Sequence, residues 1–174
     1  MRKNALLLLS CVVLVVGLLA AGPASMATGH GSKILKFHTM VGVPRPYTDP
    51  VNAIRGVPGG GLPWVIDSAK GELQVDGEVE VDVEGLVLDP NDQDVIDAGL
   101  AGTNPVPSFK AIVSCLSTDA AGNAVTTNVE TGLFPASTSG DSEIDDTVDL
   151  PDPCIAPIVF VTSPTGAWFA ATGF

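Results

Sequence analysis

The residues able to do chemistry in this chain are few, and most come in patterns that have a plainer use. Nucleophilic catalysis of the Ser, His and Asp kind needs a histidine, and the sequence holds only His30 and His38. His30 lies in a short stretch of small polar residues, a predicted frayed end, and alternation places His38 on a strand near a wet face, where it reads as a surface histidine. With one structured histidine, a zinc site lacks ligands. Two acidic clusters, Asp89, Asp92, Asp94 and Asp97, then Asp141, Glu143, Asp145 and Asp146, have the oxygen donors that calcium takes. Neither follows the EF-hand spacing or supplies its glycine turn, so both read as solvated turn residues. A pair of these acids could also act as acid and base in glycoside cleavage, but with 20 acidic residues in the chain some pair will always be close. Gly59, Gly60 and Gly61 lack the lysine and following helix of a phosphate-binding loop, and read as a flexible turn before Trp64. Trp64, Trp168 and Phe169 could form a sugar-stacking platform. Their place inside strand-like runs favours the core instead. The sequence therefore assigns no catalytic residue, no metal ligand and no cofactor.

Length and charge narrow the partners. The chain has 174 residues and a formal charge of −12, with 45% apolar residues. That acidity disfavours nucleic acid and anionic lipid, while the apolar content is too high for a disordered acidic tail. Arg2 and Lys3 precede an apolar stretch over residues 5–21 and then a run of small residues ending at Ala27. This order is that of a secretory signal peptide, so residues 1–27 are predicted to be removed and residues 28–174 to form a single β domain, secreted and without stable membrane insertion. An uncleaved membrane anchor is the alternative. Cys11 leaves with the signal, and Cys115 and Cys154 remain, an even number in an oxidising compartment. They are predicted to pair; two buried free thiols are the alternative.

The elements that would position any site are strands. Residues 33–43 alternate as one strand. Residues 44–63, with four prolines in 44–58, read as a long irregular loop, and residues 62–66 as a short strand carrying Trp64. In residues 71–88, Val79, Val81 and Val83 alternate with Glu78, Glu80, Asp82 and Glu84, giving one apolar and one acidic face. Face parity there predicts a hairpin with the three-residue loop Val75, Asp76 and Gly77, pairing Leu73 with Val79 and placing Gly77 at positive φ. Asp92 is predicted to cap one helical turn ended by Gly99. Five more strand-like runs follow, at 108–117, 124–133, 142–150, 155–162 and 167–174, and those holding Cys115 and bordering Cys154 are apolar on both faces, hence central. About nine short strands predict an all-β fold, an antiparallel β-sandwich of immunoglobulin-like or similar type, with a small β-barrel as the alternative.

The segments Arg55, Gly56, Val57, Pro58 with Leu62, Pro63, Trp64; Gly102, Thr103, Asn104, Pro105, Val106; and Gly166, Ala167, Trp168, Phe169, Ala170 resemble a group of small exported bacterial proteins of uncharacterised function. The resemblance implies an exported product and supplies no activity or site. The expected function is a non-enzymatic extracellular domain, structural or binding an extracellular protein or glycan. A carboxylate-based extracellular hydrolase and a calcium-dependent adhesion module are the alternatives. If the domain binds, the long loop should make the contact, through Arg45, Tyr47 and Arg55 with the neighbouring Trp64, because loops of such length in compact domains are usually functional. Otherwise the loop should cover a sheet edge.

Overall fold

The computed structural model describes residues 31–48 and 50–172, so the predicted signal segment lies outside the described residues. Twelve strands, one 3-10 turn at Pro50–Asn52 and one short helix make up the described chain. A four-stranded antiparallel sheet has the order β1 (Lys33–Phe37), β4 (Ser68–Gln74), β5 (Glu78–Glu84), β10 (Ser142–Thr147). A six-stranded sheet has the order β2 (Val41–Gly42), β12 (Trp168–Ala171), β11 (Ile155–Thr162), β7 (Ser108–Thr118), β8 (Ala124–Glu130), with β9 (Phe134–Pro135) also on β7. The remaining pair is β3 (Trp64–Val65) with β6 (Val87–Leu88). Neither large sheet closes on itself, so the fold is the sandwich and not the barrel.

Alternation explains the core. Val79, Val81 and Val83 of β5, with Leu73 of β4 and Ile144 of β10, join one apolar cluster with Ala111, Val113 and Cys115 of β7 and Val159 and Val161 of β11. Each fully buried valine contributes about 1.5–3 kcal/mol over an exposed one. β7 and β11 lie inside the six-stranded sheet, the position that their two-sided apolar pattern predicts. The hairpin has the expected geometry, with Leu73 paired to Val79, the Gly77 N–H donating to Gln74 O, and Gly77 at φ +91°. α1 (Gln93–Asp97) begins where expected, the Asp92 side chain accepting from the Asp94 and Val95 N–H groups, and Gly99 follows at φ +70°.

The disulfide joins Cys115 to Cys154 with Cα atoms 4.9 Å apart. Cys115 is on β7 and Cys154 immediately precedes β11, so the bond ties two neighbouring strands of one sheet. Closing a loop of that length stabilises by about 4 kcal/mol on the chain-entropy account.

The strand expected over 33–43 is two strands in different sheets. β1 pairs with β4, and β2 pairs with β12. Met40 is buried while Thr39 and Val41 are exposed, so the parity set by Leu35 and Phe37 fails after His38. Crossing from one layer to the other requires that break. β6 and β9, two residues each, complete the count beyond the nine strands expected.

Candidate functional site

On β12, adjacent aromatic residues point to opposite faces of the six-stranded sheet. Phe169 points into the core, stacked on Trp64 with ring centroids 3.9 Å apart and edge-on to Phe109 at 5.9 Å. Trp168 points to the outer face, where it meets Phe160 at 6.0 Å and Tyr47 at 6.5 Å. The three aromatic residues singled out in the sequence thus form no common platform. Trp64 belongs to the core, 5% exposed, and supports the loop from beneath.

The proline-rich loop covers the edge of β12 that β2 leaves open, where Gly59 forms a parallel bridge with Trp168 as the structural expectation has it, and its Pro44, Tyr47 and Ile54 also lie across this outer face. Its backbone is stitched to β12: Trp168 N–H donates to Pro58 O at 2.8 Å, Gly60 N–H to Trp168 O at 2.8 Å, and Val43 N–H to Phe169 O at 2.7 Å. Gly59 and Gly60 are therefore close packing and not a flexible turn, while Gly61 has open space around it. A Cβ on Gly59 would lie 1.7 Å from Tyr47 O, and one on Gly60 2.8 Å from the Phe169 ring.

Two of the predicted contact residues hold the loop in place. In the tight turn from Ile54 to Val57, Arg55 sits at φ +50°. Its Nη1 donates to Ser114 O at 2.9 Å and Ala156 O at 2.8 Å. The pairing of β11 with β7 shifts register between Ile155 and Ile158, where Ala156 is the other non-glycine residue at positive φ among those described. A bulge takes carbonyl groups out of the ladder, and the guanidinium supplies donors to them. Asn128 Nδ2 donates to Arg55 O and closes the bracket. Arg45 grips α1: Nε and Nη2 bond the two carboxylate oxygens of Asp92 at 2.9 and 3.1 Å, and Nη2 also reaches Asp94. The Arg45 hydrogen bond, joined by the Val95 and Asp94 N–H groups, holds the Asp92 carboxyl below the usual range, and the same hydrogen bond to Asp92 raises Arg45.

Tyr47 remains accessible, 41% exposed. Beneath it a cavity of about 330 Å³ lies between loop and sheet, lined chiefly by Pro44, Tyr47 and Ile54 of the loop and by Ile158, Phe160 and Trp168 of the sheet. Trp168 Nε1, beside this cavity, is buried without a hydrogen-bond partner. Leaving such a donor unmet costs about 1–3 kcal/mol.

The first acidic cluster and Asp141 serve turns and a helix, as expected, whereas Glu143, Asp145 and Asp146 lie on β10. Asp89 accepts from Asn91, Asp92 caps α1, and Asp97 accepts from Gln93. Asp141 is held low by Ser139, the Gly85 N–H and Ser137. These are turn and cap residues. The grouping missed in the sequence is Glu78, Glu80 and Asp145, with carboxylate oxygens within 4.8 Å of one another on the exposed face of the four-stranded sheet. Register brings them together, since Glu80 is opposite both Glu72 and Asp145. The acidic alternation of Glu78 and Glu80 was visible, but the pairing that brings Asp145 to them was not. At one ligand atom each the three carboxylates supply half of the six oxygens that calcium takes at the least. Glu80 and Asp145 also line a cavity of about 320 Å³ on this face, together with Lys36, His38, Lys70 and Glu72, so its wall is largely charged and not the apolar one that raises the pKa of a catalytic acid. His38 is exposed just beyond the end of β1.

Among the described residues no helix is long and apolar enough to cross a membrane. Neither a protein family, nor a curated protein, nor a solved structure matches the chain. Its class is that of an all-β antiparallel sandwich held by one disulfide.

Proposed function

We propose that this chain is an exported, non-enzymatic β-sandwich that binds an extracellular protein partner through the loop 44–63, with Tyr47 and the cavity beneath it as the contact. The observation that carries this reading is that cavity, apolar, aromatic-walled and at the lower end of the volume range of ligand pockets. Its lining suits an apolar side chain of a partner better than a glycan, whose hydroxyl groups would find few polar atoms there. The loop framing it is anchored by Arg45, Arg55 and the β12 hydrogen bonds, so little ordering cost accompanies binding. Export rests on the amino-terminal pattern and on the resemblance to exported bacterial proteins; the disulfide is compatible with it.

Tyr47→Ala is the informative substitution, because Arg45 and Arg55 have structural work and their removal would confound binding with stability. Capture of a partner from the extracellular fraction of the producing organism should succeed with the unmodified chain. It should fail with Tyr47→Ala, whose stability should change by less than about 1 kcal/mol. Equal capture by both would overturn the reading.

A further inference from the structure

The two large sheets have four edges, and three are blunted against pairing with another chain. β1 carries Lys33 and Lys36, β10 carries Glu143, Asp145 and Asp146, and β2 is only two residues long. Charges and short strands are the usual devices against edge pairing. The fourth edge, β8 (Ala124–Glu130, sequence AVTTNVE), has neither, and its only charge is at its last residue.

The hydrogen-bond phase of this edge follows from its neighbour. Thr131 N–H donates to Ala111 O in register with the ladder that pairs Val113 with Val129 and Cys115 with Thr127. Antiparallel alternation then directs the main-chain groups of Val125, Thr127 and Val129 toward β7, and those of Ala124, Thr126, Asn128 and Glu130 away from it. The next outward donor, the Gly132 N–H, is taken by Asp146 Oδ2, which ends the open stretch. Among the described residues nothing bonds the outward main-chain groups of Thr126 and Asn128.

We propose that β8 is the interface through which two copies of this chain pair, antiparallel about a two-fold axis at Thr127, joining their six-stranded sheets edge to edge. The strand is complementary to itself in that register and in that phase. Thr126 and Asn128, both with free outward groups, fall opposite each other and exchange main-chain hydrogen bonds. Val125 meets Val129 on the half-buried face, and Thr127 meets its own copy. No like charges face each other. The acidity of the two chains opposes approach, but beyond about 8 Å that repulsion is screened at physiological salt. This surface is separate from the Tyr47 cavity, so either reading can fail alone.

Sedimentation equilibrium of the purified protein from cells expressing the full chain should give twice the chain mass at high micromolar concentration. Thr127→Lys puts two cations face to face and should weaken the dimer by about a hundredfold, as should Thr127→Glu with two anions. Mixing the two variants should restore a mixed dimer. Thr126→Pro removes an outward N–H while leaving the β7 ladder intact, and should give a monomer with unchanged circular dichroism; it serves as the second variant if a residue-127 substitution unfolds the chain. A wild-type monomer at the highest concentration, or a dimer that all these variants leave intact, would overturn the proposal. So would a monomeric wild type that takes up only an unrelated extended peptide.

Discussion

Arg55 has the chemistry of an interface residue and the surroundings of a structural one. Its guanidinium satisfies two carbonyl oxygens beside the bulge of β11, one of them on the strained Ala156. Arg55→Ala should therefore lower the unfolding free energy by about 1–2 kcal/mol in urea titrations, because hydrogen bonds from a charged donor are lost and the part-buried Ser114 carbonyl is left unmet, whereas the exposed Ala156 carbonyl can turn to water. Arg55→Lys should recover less than half of this, since an ammonium cannot present the planar fork. An Arg55→Ala protein as stable as wild type would show that water satisfies the bulge equally well. Nothing near residue 55 in the sequence announces this role: the acceptors are 59 and 101 positions away.

The hairpin between β4 and β5 shows what a single element can reveal. A two-residue loop would have put Val75 opposite Glu78 and Leu73 opposite Glu80, so parity alone selected the three-residue loop, and the pairing of Leu73 with Val79 follows. Gly77 carries two constraints. Its φ of +91° is unfavourable for a β-branched residue, and a Cβ there would lie 2.0 Å from Val148 O. Gly77→Val should cost more than about 2 kcal/mol, read as a lowered urea midpoint with the slope unchanged. The first constraint was legible in the turn sequence. The second was not, because Val148 comes from beyond β10. The run 33–43 shows the opposite case, where a smooth alternation concealed a switch between sheets.

The whole molecule is strongly acidic, and its response to pH combines two effects of opposite sign. Asp92, Asp119, Asp141 and Asp146 are held below the usual carboxylate range, chiefly by Arg45, Asn123, Ser139 and the Gly132 N–H respectively. A carboxyl whose folded value is depressed gives stability that is present above its unfolded value, about 3.9, and lost as pH falls through the folded value. Between neutral pH and about 4.5, falling net charge relieves repulsion on the acidic sheet face, so stability should hold or rise slightly. Below about pH 4 it should fall. Urea titrations across this range check the shape, and Asp141→Asn should flatten the acid limb; a steady decline from pH 7 would mean that other groups dominate.

Sequence alone determined what depends on near neighbours: the strand alternation that makes this a β protein, the hairpin loop, the cap at Asp92, and the even cysteine pair that the fold joins. These follow because the pleat repeats every two residues and turn chemistry acts within four or five. Tertiary structure decided which face each aromatic residue meets. It sent Phe169 inward and Trp168 outward, seated Trp64 on Phe169 and left Tyr47 over the cavity. It also gave Arg45 and Arg55 their partners and gathered Glu78, Glu80 and Asp145. Those relations span tens of residues and depend on the register between strands and the packing of loop on sheet, neither of which is encoded in any short stretch of the chain.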